Sequence, residues 1–151
     1  MSKNFYLSIF FGFFFNVILG QNPIEWITNT EKINDSTYNL ITTAKIENNW
    51  RLYSQYNEQG GAILTEFIFS DSLIIKNYSK VIEPEPITKF DPVFNLDQSY
   101  FVDQVTFNQR IVLSVDDEDF VNQTVYYQVC DDRVCIFQEQ DLMFNLSGVS
   151  K

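Results

Sequence analysis

Apolar and polar residues alternate along most of the chain beyond residue 20. Tyr38, Leu40, Thr42, Ala44 and Ile46 fall on one face of a segment whose other face is mostly polar. Val105, Phe107, Gln109, Ile111 and Leu113 repeat the pattern, and Leu142, Phe144 and Leu146 repeat it near the end. A period of two places alternate side chains on opposite faces of a strand, so these segments are predicted as half-buried β-strands. Thr65–Phe69 and Thr124–Val129 are short runs rich in aromatic and β-branched residues, which fit a pleated surface. Asn34-Asp-Ser36, Asn48-Asn49, Gly60-Gly61, Asp116–Asp119 and Asp131-Asp132 carry turn chemistry between them. No sustained helical stripe with caps occurs. About seven or more short antiparallel strands in one domain predict an all-β fold, an immunoglobulin-like β-sandwich, with a small closed barrel as the competing architecture.

The segment from Glu83-Pro-Glu-Pro86 to Phe94 breaks the alternation. Its prolines cannot donate to a central ladder, so an extended surface loop is expected there. The loop ends in Asp91-Pro-Val-Phe94, a large aromatic outside any strand pattern. Such a phenylalanine either tucks back into the sandwich or serves as a lid.

Residues 1–20 stand apart from this pattern. Lys3 precedes a nearly unbroken apolar run from Phe5 to Leu19, and Gly20 offers a small residue at a cleavage point. This is expected to be a signal peptide, leaving residues 21–151 as one exported domain. An uncleaved anchor is the alternative, but the run is shorter than the ~20 residues of a spanning helix. No cysteine lies near the cleavage point to accept a lipid, and no second run of membrane length follows. Stable membrane insertion is therefore not expected after cleavage.

The chain carries 20 acidic and 10 basic side chains, a net charge of −10. Such a surface repels phosphate backbones and argues against nucleic acid as a partner. Asp116-Asp-Glu-Asp119 lacks the glycine and spaced ligands of a calcium loop and reads as a solvated turn. There is no histidine at all. That removes Ser-His-Asp and Cys-His nucleophiles and ordinary zinc sites, so no metal or other cofactor is expected. Sequons at Asn77-Tyr-Ser79 and Asn122-Gln-Thr124 matter only in a glycosylating host.

Carboxylates, tyrosines and two thiols remain for chemistry. Cys130 and Cys135 are the only cysteines, with Asp131-Asp-Arg-Val134 between them. In an oxidising compartment the pair is expected to be a disulfide or a redox couple. A turn over four residues can bring the Cα atoms to the ~4.4–6.8 Å that a disulfide needs. The ring is small, and its loop entropy contributes only about 2 kcal/mol. Spacing alone leaves a hairpin clip and a redox site evenly balanced. Asp131 and Asp132 disfavour the thiolate, Arg133 partly offsets them, and no helix N-terminus is evident to favour it.

Five segments occur in an order that resembles one family. They are Trp50-Arg-Leu-Tyr53, Thr65-Glu-Phe-Ile-Phe69, Asp91-Pro-Val-Phe94, Val105-Thr-Phe-Asn-Gln109 and Tyr127-Gln-Val-Cys-Asp-Asp-Arg-Val-Cys135. Together they resemble the N-terminal periplasmic domain of the thiol:disulfide interchange protein DsbD, over about residues 25–147. The resemblance implies an immunoglobulin-like sandwich in the bacterial periplasm. A membrane-embedded thiol reductase would reduce its cysteine pair, and the domain would then reduce thioredoxin-like partners. It implies that Cys135 forms the mixed disulfide with partners and Cys130 resolves it. It further implies that Phe94 caps the pair, Asp91 is a cap-loop carboxylate and Tyr53 lines the site.

Three features depart from the family pattern. Four residues separate the cysteines where the best-known members have five. Ile136-Phe137-Gln138 replaces a proline-bearing segment after the second cysteine. The sequence holds neither a membrane-spanning core nor a thioredoxin-like domain, so electrons are expected from a separate protein. The competing reading is a secreted β-sandwich recognition module whose disulfide is structural.

Overall fold

The computed structural model describes residues 22–70, 73–92, 94–114 and 118–147. The expected signal peptide lies outside these residues, as do Val93 and the Asp116-Asp117 half of one expected turn.

Ten strands follow one another, with no helix among the described residues: β1 (Ile24–Lys32), β2 (Thr37–Ile46), β3 (Arg51–Tyr53), β4 (Glu66–Phe69), β5 (Ile75–Tyr78), β6 (Ile87–Asp91), β7 (Leu96–Phe101), β8 (Gln104–Leu113), β9 (Phe120–Cys130) and β10 (Cys135–Asn145). They form two antiparallel sheets. One has the order β1-β2-β8-β5; the other runs β10-β9-β3-β7-β6, with β4 also beside β9. β3 pairs with the last residues of β9 and β4 with its middle, so the two short strands share one edge of the long one. This is the expected immunoglobulin-like sandwich.

The alternation read from the sequence is the burial pattern. Leu40, Ala44, Phe107, Ile111, Val125, Tyr127 and Phe144 all point inward and are buried. Trp26 lies 5.2 Å from the Tyr127 ring, and Phe67 lies 5.1 Å from Phe107, both in the angled contacts that aromatic quadrupoles favour. Gln109 sits on the same inward face. It accepts a bond from Gln123 at 2.8 Å across the sheets and donates to the Ser79 carbonyl at 2.9 Å. A buried amide with such partners avoids the cost of desolvation without compensation.

Turns form where short polar residues replace the ladder. Asn34 Oδ1 accepts the Ser36 and Thr37 amides at 3.2 and 3.0 Å, closing the β1–β2 hairpin. Asn49 takes a φ of 71°, in the left-handed region that asparagine tolerates.

The proline-bearing segment corrects one expectation. Residues Ile87–Asp91 are not a loop but the outermost strand of the larger sheet, paired along their length with β7. Pro84 and Pro86 precede this strand and Pro92 follows it, so none interrupts its ladder. Four of its five residues are exposed, which is why it shows no alternation. The β6–β7 hairpin turns through Asn95 at φ 56° and carries Phe94 at its tip.

Candidate functional site: a disulfide under an aromatic hairpin

Cys130 ends β9 and Cys135 begins β10, directly opposite each other in the ladder. They form a disulfide with Cα atoms 4.1 Å apart, slightly closer than the expected range. The intervening turn is held by Asp131. Its Oδ1 accepts the Arg133 and Val134 amides at 2.7 Å each, and its N–H donates to the Val134 carbonyl at 3.0 Å. The Val134 amide, followed by that of Arg133, holds the Asp131 carboxyl below the usual aspartate range. Arg51, opposite Cys130 on β3, donates from Nη2 to Asp132 Oδ1 at 2.7 Å and lies 5.8 Å over the Tyr100 ring. The cation that meets Asp132 therefore comes from β3.

The two sulfurs sit in unlike surroundings. Cys130 is 2% exposed, whereas Cys135 is an exposed residue. Cys130 packs with Tyr53, Ala62 and Tyr100 in a small cluster on the outer face of the larger sheet, against which Phe94 and Val102 also pack. Phe94 meets Tyr53 edge-on at 5.9 Å, and the Tyr53 hydroxyl donates to Asp91 Oδ2 at 3.2 Å. Burial first, and then the Asp91 charge, push the Tyr53 hydroxyl pKa up from 10.0 to about 12. At neutral pH Tyr53 is thus a neutral donor that ties β3 to the end of β6.

A cleft of about 330 Å³ brings together all five residues predicted from sequence: Tyr53, Asp91, Phe94, Cys130 and Cys135. A larger groove of about 490 Å³, beside β4 and β5, contains neither cysteine. The five candidate residues therefore share the smaller cleft.

Four residues escaped the sequence reading. Arg51 and Gln128 lie inside motifs that were recognised, but spacing carried no signal of their contacts. Tyr100 and Gln98 come from β7, whose burial depends on its neighbours in the sheet. Gln98 Oε1 accepts the Ala62 amide at 2.8 Å, Gln128 Oε1 accepts the Ile63 amide at 2.7 Å, and Thr65 Oγ1 donates to the Tyr53 carbonyl at 2.5 Å. These bonds fasten residues 62–65 over the outer face beside the disulfide. Gly61 suits this close approach, since a Cβ there would collide with the buried Gln98 amide and force it to shift.

The class these features define is an immunoglobulin-like β-sandwich with a half-exposed disulfide at the end of a strand pair, roofed by an aromatic hairpin tip. Residues 25–147 match the family described as thiol:disulfide interchange protein DsbD, N-terminal, and the chain belongs to that family. Among solved structures, it is similar to the N-terminal periplasmic domain of ScsB from Proteus mirabilis, with 17% identity and a TM-score of 0.60. That match covers 82% of this chain and 45% of the other, so this chain spans less than half of the ScsB domain. The reduced DsbD N-terminal domain from Neisseria meningitidis matches with 15% identity and a TM-score of 0.48, over 84% of this chain and 86% of that one. The complex of the DsbD and PilB N-terminal domains from Neisseria meningitidis gives 12% identity and a TM-score of 0.45, over 82% and 83%. No curated protein matches the chain. No helix among the described residues is long and apolar enough to cross a membrane.

Proposed function

We propose that this chain is a periplasmic thiol–disulfide interchange domain that passes electrons from a membrane-embedded thiol reductase to thioredoxin-like proteins through Cys130 and Cys135. In this reading residues 1–20 direct export. The observation that carries it is the asymmetry of the pair: Cys135 is open to a partner sulfur, and Cys130 is buried behind it. A bridge kept for stability would gain more by joining distant strands. This one links residues already opposite at the end of an eleven-pair ladder.

The exchange runs in two stages. A donor thiolate attacks Cys135 Sγ, breaking the disulfide and sending its electron pair to Cys130. A second donor thiol then releases the donor as a disulfide and leaves Cys130 and Cys135 reduced. Cys135 thiolate next attacks a partner disulfide, and one partner sulfur leaves as thiolate. Cys130 thiolate attacks Cys135 Sγ in the mixed disulfide, restoring the Cys130–Cys135 bond and freeing the reduced partner. Phe94 shields the sulfurs between partners, and Asp91 assists proton movement. Phe90, Val134 and Phe137, all exposed, supply an apolar rim for docking.

A redox titration of residues 21–151 tests the assignment. A working carrier is expected between roughly −120 and −270 mV, and a structural clip below about −300 mV. The Cys130→Ala protein is expected to accumulate a mixed disulfide with a thioredoxin-like protein. Equal trapping by Cys135→Ala would overturn the roles given to the two sulfurs.

A further inference from the structure

Gln128 and Cys130 are two residues apart on β9 and project from the same outer face. Both are buried, at 9% and 2% exposure. The Ile63 amide donates to Gln128 Oε1 at 2.7 Å, which fixes the orientation of the side-chain amide. Turned over, it would set its NH2 group against the Ile63 N–H, donor to donor. In the orientation so fixed, Nε2 donates to Cys130 Sγ at 3.5 Å.

We propose that Gln128 is the hydrogen-bond donor that receives the negative charge arriving on Cys130 when the disulfide opens. The proposal rests on the exchange reading of the pair. An incoming protein thiolate bonds to Cys135 Sγ, the Sγ–Sγ bond breaks, and its electron pair leaves on Cys130 Sγ. That sulfur lies among Tyr53, Ala62 and Tyr100, where an anion without a donor is costly. An N–H bonds weakly to a disulfide sulfur and much more strongly to a thiolate. Gln128 therefore stabilises the leaving group more than the starting disulfide, which is the condition for acceleration. In the second stage the same contact keeps Cys130 ionised for its attack on the mixed disulfide. The segment around Ile63 becomes part of the machinery, since its amide aims the donor.

The test uses the Cys135→Ser protein, in which Cys130 is the single thiol. Its thiolate absorbance is followed against pH, with and without Gln128→Met. The substitution is expected to move the midpoint upward by about one pH unit. In the protein with both cysteines it should slow reduction by dithiothreitol about tenfold. An unmoved midpoint overturns the proposal. Should Gln128→Met fail to fold, the Gln128 side-chain amide protons of Cys135→Ser decide: a downfield shift as Cys130 ionises supports the contact, and no shift overturns it. Neither reading requires a physiological partner. A potential below about −300 mV would sink the exchange reading alone and leave the contact to the amide shift.

Discussion

The two faces of β9 are buried by different means. Inward, Val121, Val125, Tyr127 and Val129 meet the opposite sheet in one large apolar core. Outward, and only near its end, Gln128 and Cys130 are covered by the β6–β7 hairpin and residues 62–65. The inner face is closed mainly by many small dispersion contacts, with the buried Gln123–Gln109 amide pair set among them. The outer cover is pinned by single polar bonds, from Tyr53 to Asp91, Ala62 to Gln98 and Ile63 to Gln128. Each is worth only about 0.5–1.5 kcal/mol, so the cover can yield locally while the core stays intact. In the proposed exchange the partner meets the exposed Cys135, and a cover of the second kind can give way around Cys130 without opening the core.

The sharpest test of this contrast pairs two phenylalanines. Phe107→Ala in the inner core is expected to cost about 3–5 kcal/mol in a denaturant titration. Phe94→Ala should cost much less, yet speed reaction of the disulfide with dithiothreitol. Equal losses of stability would erase the distinction between core and cover. Gly61→Ala comes next: displacing Gln98 is expected to cost about 1–3 kcal/mol and to loosen residues 62–65, seen as faster amide exchange at Ala62 and Ile63.

Tyr53→Phe removes one pin and is expected to cost about 1 kcal/mol at neutral pH. Its effect depends on pH with a definite sign. The Tyr53 hydroxyl is raised from 10.0 to about 12 in the fold, so its contribution is complete below pH 10.0 and is lost as pH climbs toward about 12. The stability gap between the parent and Tyr53→Phe should close over that window. A constant gap would show that burial and the Asp91 charge do not raise the hydroxyl in the fold. The smallest effect belongs to Asp132→Ala. That side chain is 86% exposed in its pair with Arg51, so the denaturation midpoint should hardly move.

Much of the site was legible because its parts are local. Cys130 and Cys135 are joined by a short turn, and Asp131 and Asp132 mark that turn in the sequence. Tyr53, Asp91 and Phe94 became candidates through the ordered family motifs, and the fold places all three at the cleft. β6 was missed for the opposite reason. An edge strand exposed along most of its length has neither alternation nor a buried face, and its flanking prolines read as loop. Gln98 and Gln128 look like ordinary polar strand residues until the segment carrying Ala62 and Ile63 is laid over them.

Alternation, turn residues and a single close cysteine pair were enough to predict an all-β chain, a sandwich with a closed barrel competing, and the place of its disulfide. Strands, turns and the cysteine hairpin are written in near neighbours, whereas the pairing of β2 with β8 and of β3 with β9 was decided only in the fold. The same local signals could not determine that Cys130 is hidden while Cys135 is open. The two cysteines oppose each other in one ladder and are locally almost equivalent. Only the packing of Tyr53, Ala62, Phe94 and Tyr100 from three separate stretches of chain makes one sulfur buried and leaves the other exposed. That difference is set by what covers a sheet face, and no local pattern encodes it.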